Sequence, residues 1–317
     1  MQQLNQHKLI NKLKKFTLPT INSLNVLCGS SSLKNPTNNK SSRIETLVAN
    51  YQFYFNHFKP KANFEISSID IGIKHFSYCK SKCIPCSTGP IVVQKWDKLN
   101  LDERYGINFK PEINKASIFD DKRYLIHLTK EMINDLQFNN SDLVIMEAQR
   151  TRSSGSPNMG TLPIILKNFT FENLIFNNLY PNFVMLMEPK KMMHFWFYNY
   201  IEESTFKTSK NPKKIRKELF VNWYNRNMFE LPGFNGDISK KNQLMDYLQL
   251  DNKNKLDDLI DSLFYNLTMH YQFRNLEIFD QFVNEDLDFN KFVEERKLIH
   301  LDLIQPILDD RGIKAKN

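Results

Sequence analysis

The sequence predicts an α/β fold in which three antiparallel strands and further parallel strands form one mixed sheet, flanked by helices, with a small helical module in front. Three observations carry this. Strand-like runs at 64–71, around Phe76 and Tyr78, and in "PIVVQKW" follow one another across short turns, the pattern of an antiparallel meander. Helix and strand patterns then alternate: a helix at 121–138, the run "DLVIMEAQ" at 142–149, a helix from Pro163 to about Asn178, and the run "NFVMLMEP". Helices near 190–200 and 212–226 and a last one in "NKLDDLIDSLFYNLTMHYQF" complete the order.

Each element has a local reason. The opening "MQQLNQHKLINKLKKF" is Lys-rich, acid-free and roughly amphipathic. Two readings stand for residues 1–16, a mitochondrial presequence or a basic helix of the first domain. Residues 20–51 read as two short helices around a polar turn, with Leu24, Leu27, Ile44, Leu47 and Val48 able to pack together, and "HFKPKAN" reads as a linker. The divisions are therefore 17–58 for a helical module, 62–276 for the main domain and 277–317 for an acidic extension without an assigned role. Residues 97–119 lack a clean period and are expected to be an insertion loop. "DLVIMEAQ" is short and continuously apolar, as a central strand covered on both faces should be. Pro163 suits the first turn of a helix. Phe195, Trp196 and Phe197 read as core.

Composition narrows the function classes. The chain has 317 residues, 41% of them hydrophobic and 25 of them Phe, enough for a sizeable core. No apolar run is long enough to span a bilayer, so a soluble protein is expected. Only 9 glycines are present, too few for a fold built on several Gly-rich phosphate loops. The net charge of +8 is uneven, since residues 1–60 set eight Lys or Arg against Glu45 alone. Such a front end suits a polyanionic partner or a targeting role. "CKSKCIPC" with His75 lacks the second ligand pair of a structural zinc site, so Cys28, Cys79, Cys83 and Cys86 read as reduced thiols.

The acids carry the chemistry. Asp70 ends the first strand and Glu147 ends the run "LVIM", positions where an unpaired carboxylate is costly. On the last helix Asp257, Asp258 and Asp261 share one face, while Leu256, Ile260, Leu263 and Leu267 line the other. Alone, such a face is a solvated one. Brought to the strand ends, however, it would complete a carboxylate cluster that stays ionised only with divalent cations. Magnesium (or manganese) is the expected occupant, as two ions per site acting on a phosphodiester, with no small-molecule cofactor. "DIG" also opens actin-like ATPases, but those need glycine-rich loops that this chain lacks.

"SIDIGIKHFSYC", "LVIMEAQRTRSSGSPN" and "KLDDLIDSLFYN" resemble, in that order, the three acidic motifs of the fungal mitochondrial Holliday-junction resolvases, relatives of RuvC in the ribonuclease-H-like superfamily. The likeness spans roughly 64–270. It implies that Asp70, Glu147 and Asp261 are catalytic metal ligands, with Asp257 or Asp258 as the fourth. Where members usually carry a polar residue after the catalytic Glu, this chain has Ala148. The resemblance further implies a mitochondrial homodimer that nicks opposed strands of four-way junction DNA. Residues 20–51 are similar to a SAP-type DNA-binding motif, with a plain two-helix packing module as the other reading.

Phosphate contacts are expected from Lys207, Lys210, Lys213, Lys214, Arg216 and Lys217 in "FKTSKNPKKIRKE", and from Arg150 and Arg152 beside Glu147. The reading is thus a magnesium-dependent junction endonuclease acting in mitochondrial DNA recombination. Its rivals are a nuclease of RNA–DNA hybrids or flaps and an inert junction-binding protein.

Overall fold

The structure, a computed structural model, describes residues 2–30, 39–114, 117–149, 163–201, 212–231 and 256–316. β1 (Phe64–Asp70), β2 (Phe76–Cys83) and β3 (Ile91–Leu99) form the expected antiparallel meander, with Ile69 opposite Tyr78 and Cys79 opposite Trp96. β4 (Leu143–Glu147) runs parallel to β1, and β5 (Phe183–Met187) runs parallel to β4. The sheet order is β5-β4-β1-β2-β3-β6. β6 (Phe229–Glu230), parallel to β3, was not foreseen, because two residues are too few to show a period.

Ten helices can be named among the described residues. α1 (Gln2–Lys14), α2 (Leu18–Leu27) and α3 (Lys40–His57) precede the sheet. α4 (Leu101–Tyr105) lies where a loop was expected: Asn100 Oδ1 accepts a bond from the Asp102 amide, and Leu101 and Tyr105 anchor the turn in the core. α5 (Ile118–Leu136) starts at the cap Ser117, which accepts from the Asp120 amide at 3.0 Å. It stops at Gln137, whose left-handed backbone ends the helical ladder. α6 (Pro163–Leu179), α7 (Pro189–Trp196) and α8 (Pro212–Asn225) follow the predicted order. α9 (Leu256–Asn284) and α10 (Phe289–Asp310) end the chain.

The sheet separates two cores. On β4, Leu143 and Ile145 face the core with α9, and Val144 and Met146 face the core with α5 and α6. The run is continuously apolar because both faces are covered. The first core also takes in α1–α3, α7, α8 and α10, and Phe195, Trp196 and Phe197 are buried in it as expected. Cys79 and Cys83 lie in the same core as free thiols.

Both chain ends are built into that core. α9 runs straight through residue 276, where an extension was expected to begin, and α10 folds back on it, with the Phe279 and Phe289 rings 4.8 Å apart. The acidic segment is therefore a structural helix whose Leu303, Ile304, Ile307 and Leu308 are buried. Leu9 and Leu13 of α1 are buried, Phe16 stacks on Phe289 at 5.0 Å, and Lys12 meets Asp286 at 2.8 Å. The basic front end thus lies against the acidic end. No helix among the described residues is long and apolar enough to cross a membrane.

Candidate active site

β-Strand periodicity aims both strand acids at α9. Phe64, Ile66, Ser68 and Asp70 alternate onto one face of β1, and Leu143, Ile145 and Glu147 onto the same face of β4. Ile69 pairs with Met146 in parallel register, so Asp70 and Glu147 leave the sheet side by side. α9 is hydrogen-bonded directly to these strands through short polar side chains. Ser68 Oγ donates to Ser262 O at 2.6 Å, Ser77 Oγ to Asp258 O at 2.5 Å, and Ser81 Oγ to Asn266 Oδ1 at 2.5 Å. Asn266 Nδ2 donates back to Ile66 O at 3.1 Å, and Trp96 Nε1 to Leu259 O at 2.8 Å. This stitching delivers the first turns of α9, with Asp258 and Asp261, over the ends of β1 and β4.

Four carboxylates therefore converge. Asp70 and Glu147 share a hydrogen bond. Burial, that bond, and the charges of Glu147, Asp261 and Asp258 together push Asp70 well above the ordinary carboxylate range. Burial also pushes Asp261 up to about 7, against the pull of the Arg216 guanidinium. Asp258 is held by Lys98 Nζ at 3.2 Å. A cleft of about 350 Å³ opens at the cluster, lined by Asp70, Gly72, Lys74, Asp102, Lys167 and Asp258 among others. Of the two candidates on the helix, Asp258 is the one that lines this cleft and acts on Asp70 and Asp261. Among the described residues no three His, Cys, Asp or Glu side chains are grouped as a ready metal site. Arg216 and Lys98 each meet one of the helix acids.

The basic residues divide. Arg150, Arg152, Lys207 and Lys210 lie outside the described residues, as does the side chain of Lys213. Lys214 is exposed on α8 and Lys217 half-buried. Arg216 is placed elsewhere than on a solvated phosphate-binding face: it is buried, and its Nη2 donates to Asp261 Oδ2 at 2.9 Å. The sequence held a signal for this. Ile215, Leu219 and Trp223 mark the inward face of α8, and Arg216 sits on its flank beside Phe220.

Three residues near the cluster escaped sequence reasoning. Lys98 is the second-last residue of β3, where nothing in the sequence distinguishes it from Lys95. Glu172 on α6 is buried and accepts a 2.5 Å bond from the Gln149 amide, fixing the chain just past Glu147, while Gln149 Nε2 donates to Glu147 Oε2 at 3.2 Å. Tyr265, one turn beyond Asp261, buries a hydroxyl that has no hydrogen-bond partner among the described residues. Burial and the nearby charges of Glu147, Asp70 and Asp261 push that hydroxyl far up. All three depend on tertiary placement.

The family model described as "Mitochondrial resolvase Ydc2 / RNA splicing MRS1" matches residues 66–279, which contain all four converging acids. The chain belongs to that family. Its fold is ribonuclease-H-like: the crystal structure of the yeast mitochondrial Holliday junction resolvase Ydc2 is similar with a TM-score of 0.54 at 16% identity, covering 86% of this chain and 100% of that one. Thermus thermophilus RuvC is similar with a TM-score of 0.32 at 9% identity over 64% of this chain and 95% of that one. No curated protein matches. The family is a mitochondrial one, in keeping with the location the three motifs imply.

Proposed function

We infer that the chain is a mitochondrial Holliday-junction resolvase, an endonuclease that cuts branched DNA by metal-assisted phosphodiester hydrolysis. One observation carries this reading. Within the family's catalytic span, Asp70, Glu147, Asp258 and Asp261 come from three separated segments into one electrostatic cluster, with Asp70 and Asp258 lining the cleft beside it. A protein that only packed or only bound DNA would have no use for acids that cost this much to bury together.

The donor set fits a hard divalent cation. All its donors are carboxylate oxygens, and Asp261 Oδ1 is buried against a cation already, Arg216 Nε. Burial, together with the hydrogen bond and charge of Glu147, raises the Asp70 carboxyl, a penalty that a bound cation would relieve. Asp70, Glu147, Asp258 and Asp261 would hold magnesium, or manganese, as two ions. Bound there, such ions supply an activated water and stabilise both oxygens of an in-line displacement.

The chain's own groups do the rest. Lys74 and Lys167 line the cleft and attract the phosphates of the strand to be cut. Lys214 and Lys217 on α8, with the basic residues on either side, add affinity that is independent of base sequence. A homodimer would present two such clefts, matching paired nicks in a two-fold junction. The complete acid set favours this enzyme over an inert junction binder.

The test is a gel assay of a four-way junction, a linear duplex and an RNA–DNA hybrid with Mg²⁺. The wild type should cut the junction in preference to the others. Asp70→Asn should abolish cutting and leave junction binding intact. Cutting by that variant would remove Asp70 from the mechanism, and preference for the hybrid would favour the rival nuclease.

A further inference from the structure

Arg216 lies in the carboxylate cluster without a role in the reading above. It reaches Asp261 from α8, which is anchored by the buried Ile215, Leu219, Phe220 and Trp223. One bond of the contact runs from Nη2 to Oδ2 at 2.9 Å. Nε meets Oδ1 in the same ion pair, and both atoms are buried. A buried ion pair recovers little beyond the cost of taking its two charges out of water. It is therefore exchangeable. The same helix begins in the basic tract proposed to meet DNA phosphate, so a guanidinium leaving Asp261 has an anionic partner close by.

We propose that Arg216 is a resident countercation of Asp261 that a divalent ion must displace, so that the same carboxylate is held either by the guanidinium or by the metal. The inference rests on the reading of the four acids as metal ligands. Its sign is distinctive. An arginine that merely oriented Asp261 would strengthen metal binding, whereas a competing arginine weakens it. Removing the competitor must tighten the ion.

Mn²⁺ binding to the full-length protein, without DNA, measured by titration calorimetry and by the loss of the free Mn²⁺ electron paramagnetic resonance signal, tests this. Arg216→Gln is expected to bind Mn²⁺ about tenfold more tightly than the wild type, the factor that accompanies removal of one competing contact of ordinary strength. Arg216→Lys, which keeps the charge but loses the planar fork, should fall between the two. It decides the matter alone if Arg216→Gln fails to fold. Asp70→Asn is the control and should lose most Mn²⁺ binding. Arginine variants that bind Mn²⁺ no better than the wild type, with the control behaving as expected, overturn the countercation and leave the active site standing. Unaltered Mn²⁺ binding by Asp70→Asn overturns the site itself, and the inference with it.

Discussion

Asp70 occupies a position that the alternation of β1 assigns to the buried face, after Phe64, Ile66 and Ser68. That a carboxylate appears there is explained by what lies opposite it, a helix end that brings two more acids. The sequence left Asp257 and Asp258 as equal candidates, since a helical wheel places both on one arc. The structure places Asp258 at the cleft, a position relative to β1 and β3 that a helical wheel does not carry. Asp258 bonds to Ser77 through its carbonyl and to Lys98 through its carboxylate, and it lines the cleft. Asp258→Asn should therefore lower junction cleavage by ~10²-fold or more, the upper scale for loss of a group that positions a metal. Asp257→Asn should cost about tenfold less than that, since Asp257 does not line the cleft. Single-turnover cleavage of a synthetic junction measures both. A reversed ranking would hand the fourth ligand to Asp257.

At the scale of elements, α9 is the part on which the site depends. Its sequence was read as an amphipathic helix with an acidic face, and that reading was right in type while it missed the length, the true end being Asn284. Nor could it show how the helix is held to the sheet. That attachment comes from Ser68, Ser77 and Ser81 on the strands and Ser262 and Asn266 on the helix, residues whose polarity argues against burial until their partners are known. The strands were legible because period-two patterns and apolar runs record burial directly. The partners of Lys98 and Arg216 were not, because an ion pair across the fold leaves no periodic trace, even where helix periodicity marks the flank on which Arg216 sits. Asn266→Leu tests the docking. It strands the Ile66 carbonyl and deprives Ser81 of one partner, so it should cost about 1–3 kcal/mol, seen as a lower urea midpoint at unchanged slope. Cleavage should fall with it, since Asp258 and Asp261 ride on the same helix.

Across the whole molecule, the two ends of the chain close the core over α9, basic α1 against acidic α10, so regions that composition marks as appendages carry packing weight. Two imidazoles are buried in this core, His270 against β2 and His300 against Phe195, Trp196 and Tyr200. His270 contacts Ser81 Oγ at 2.7 Å through Nε2, and burial lowers it to about 3, with the Arg274 charge adding to the effect. Burial lowers His300 to about 4. Between these values and the ordinary 6.5, each imidazole takes a proton only when the chain unfolds, so acid draws the equilibrium toward the unfolded state. Asp70 and Asp261 oppose this, since their raised values make the folded chain the better proton acceptor over part of the same range. The wild-type pH profile is therefore a difference of opposed slopes. A comparison with His270→Gln isolates one of them, because glutamine can keep a bond to Ser81 and does not titrate. As pH falls from 6.5 toward about 4, the variant should gain on the wild type by ~1.4 kcal/mol per pH unit, the linkage slope for one proton. Urea unfolding at pH 7.5, 6 and 5 reads this directly. Parallel profiles would mean that His270 is as easily protonated in the folded chain as in the unfolded one, and that the core beneath α9 admits water.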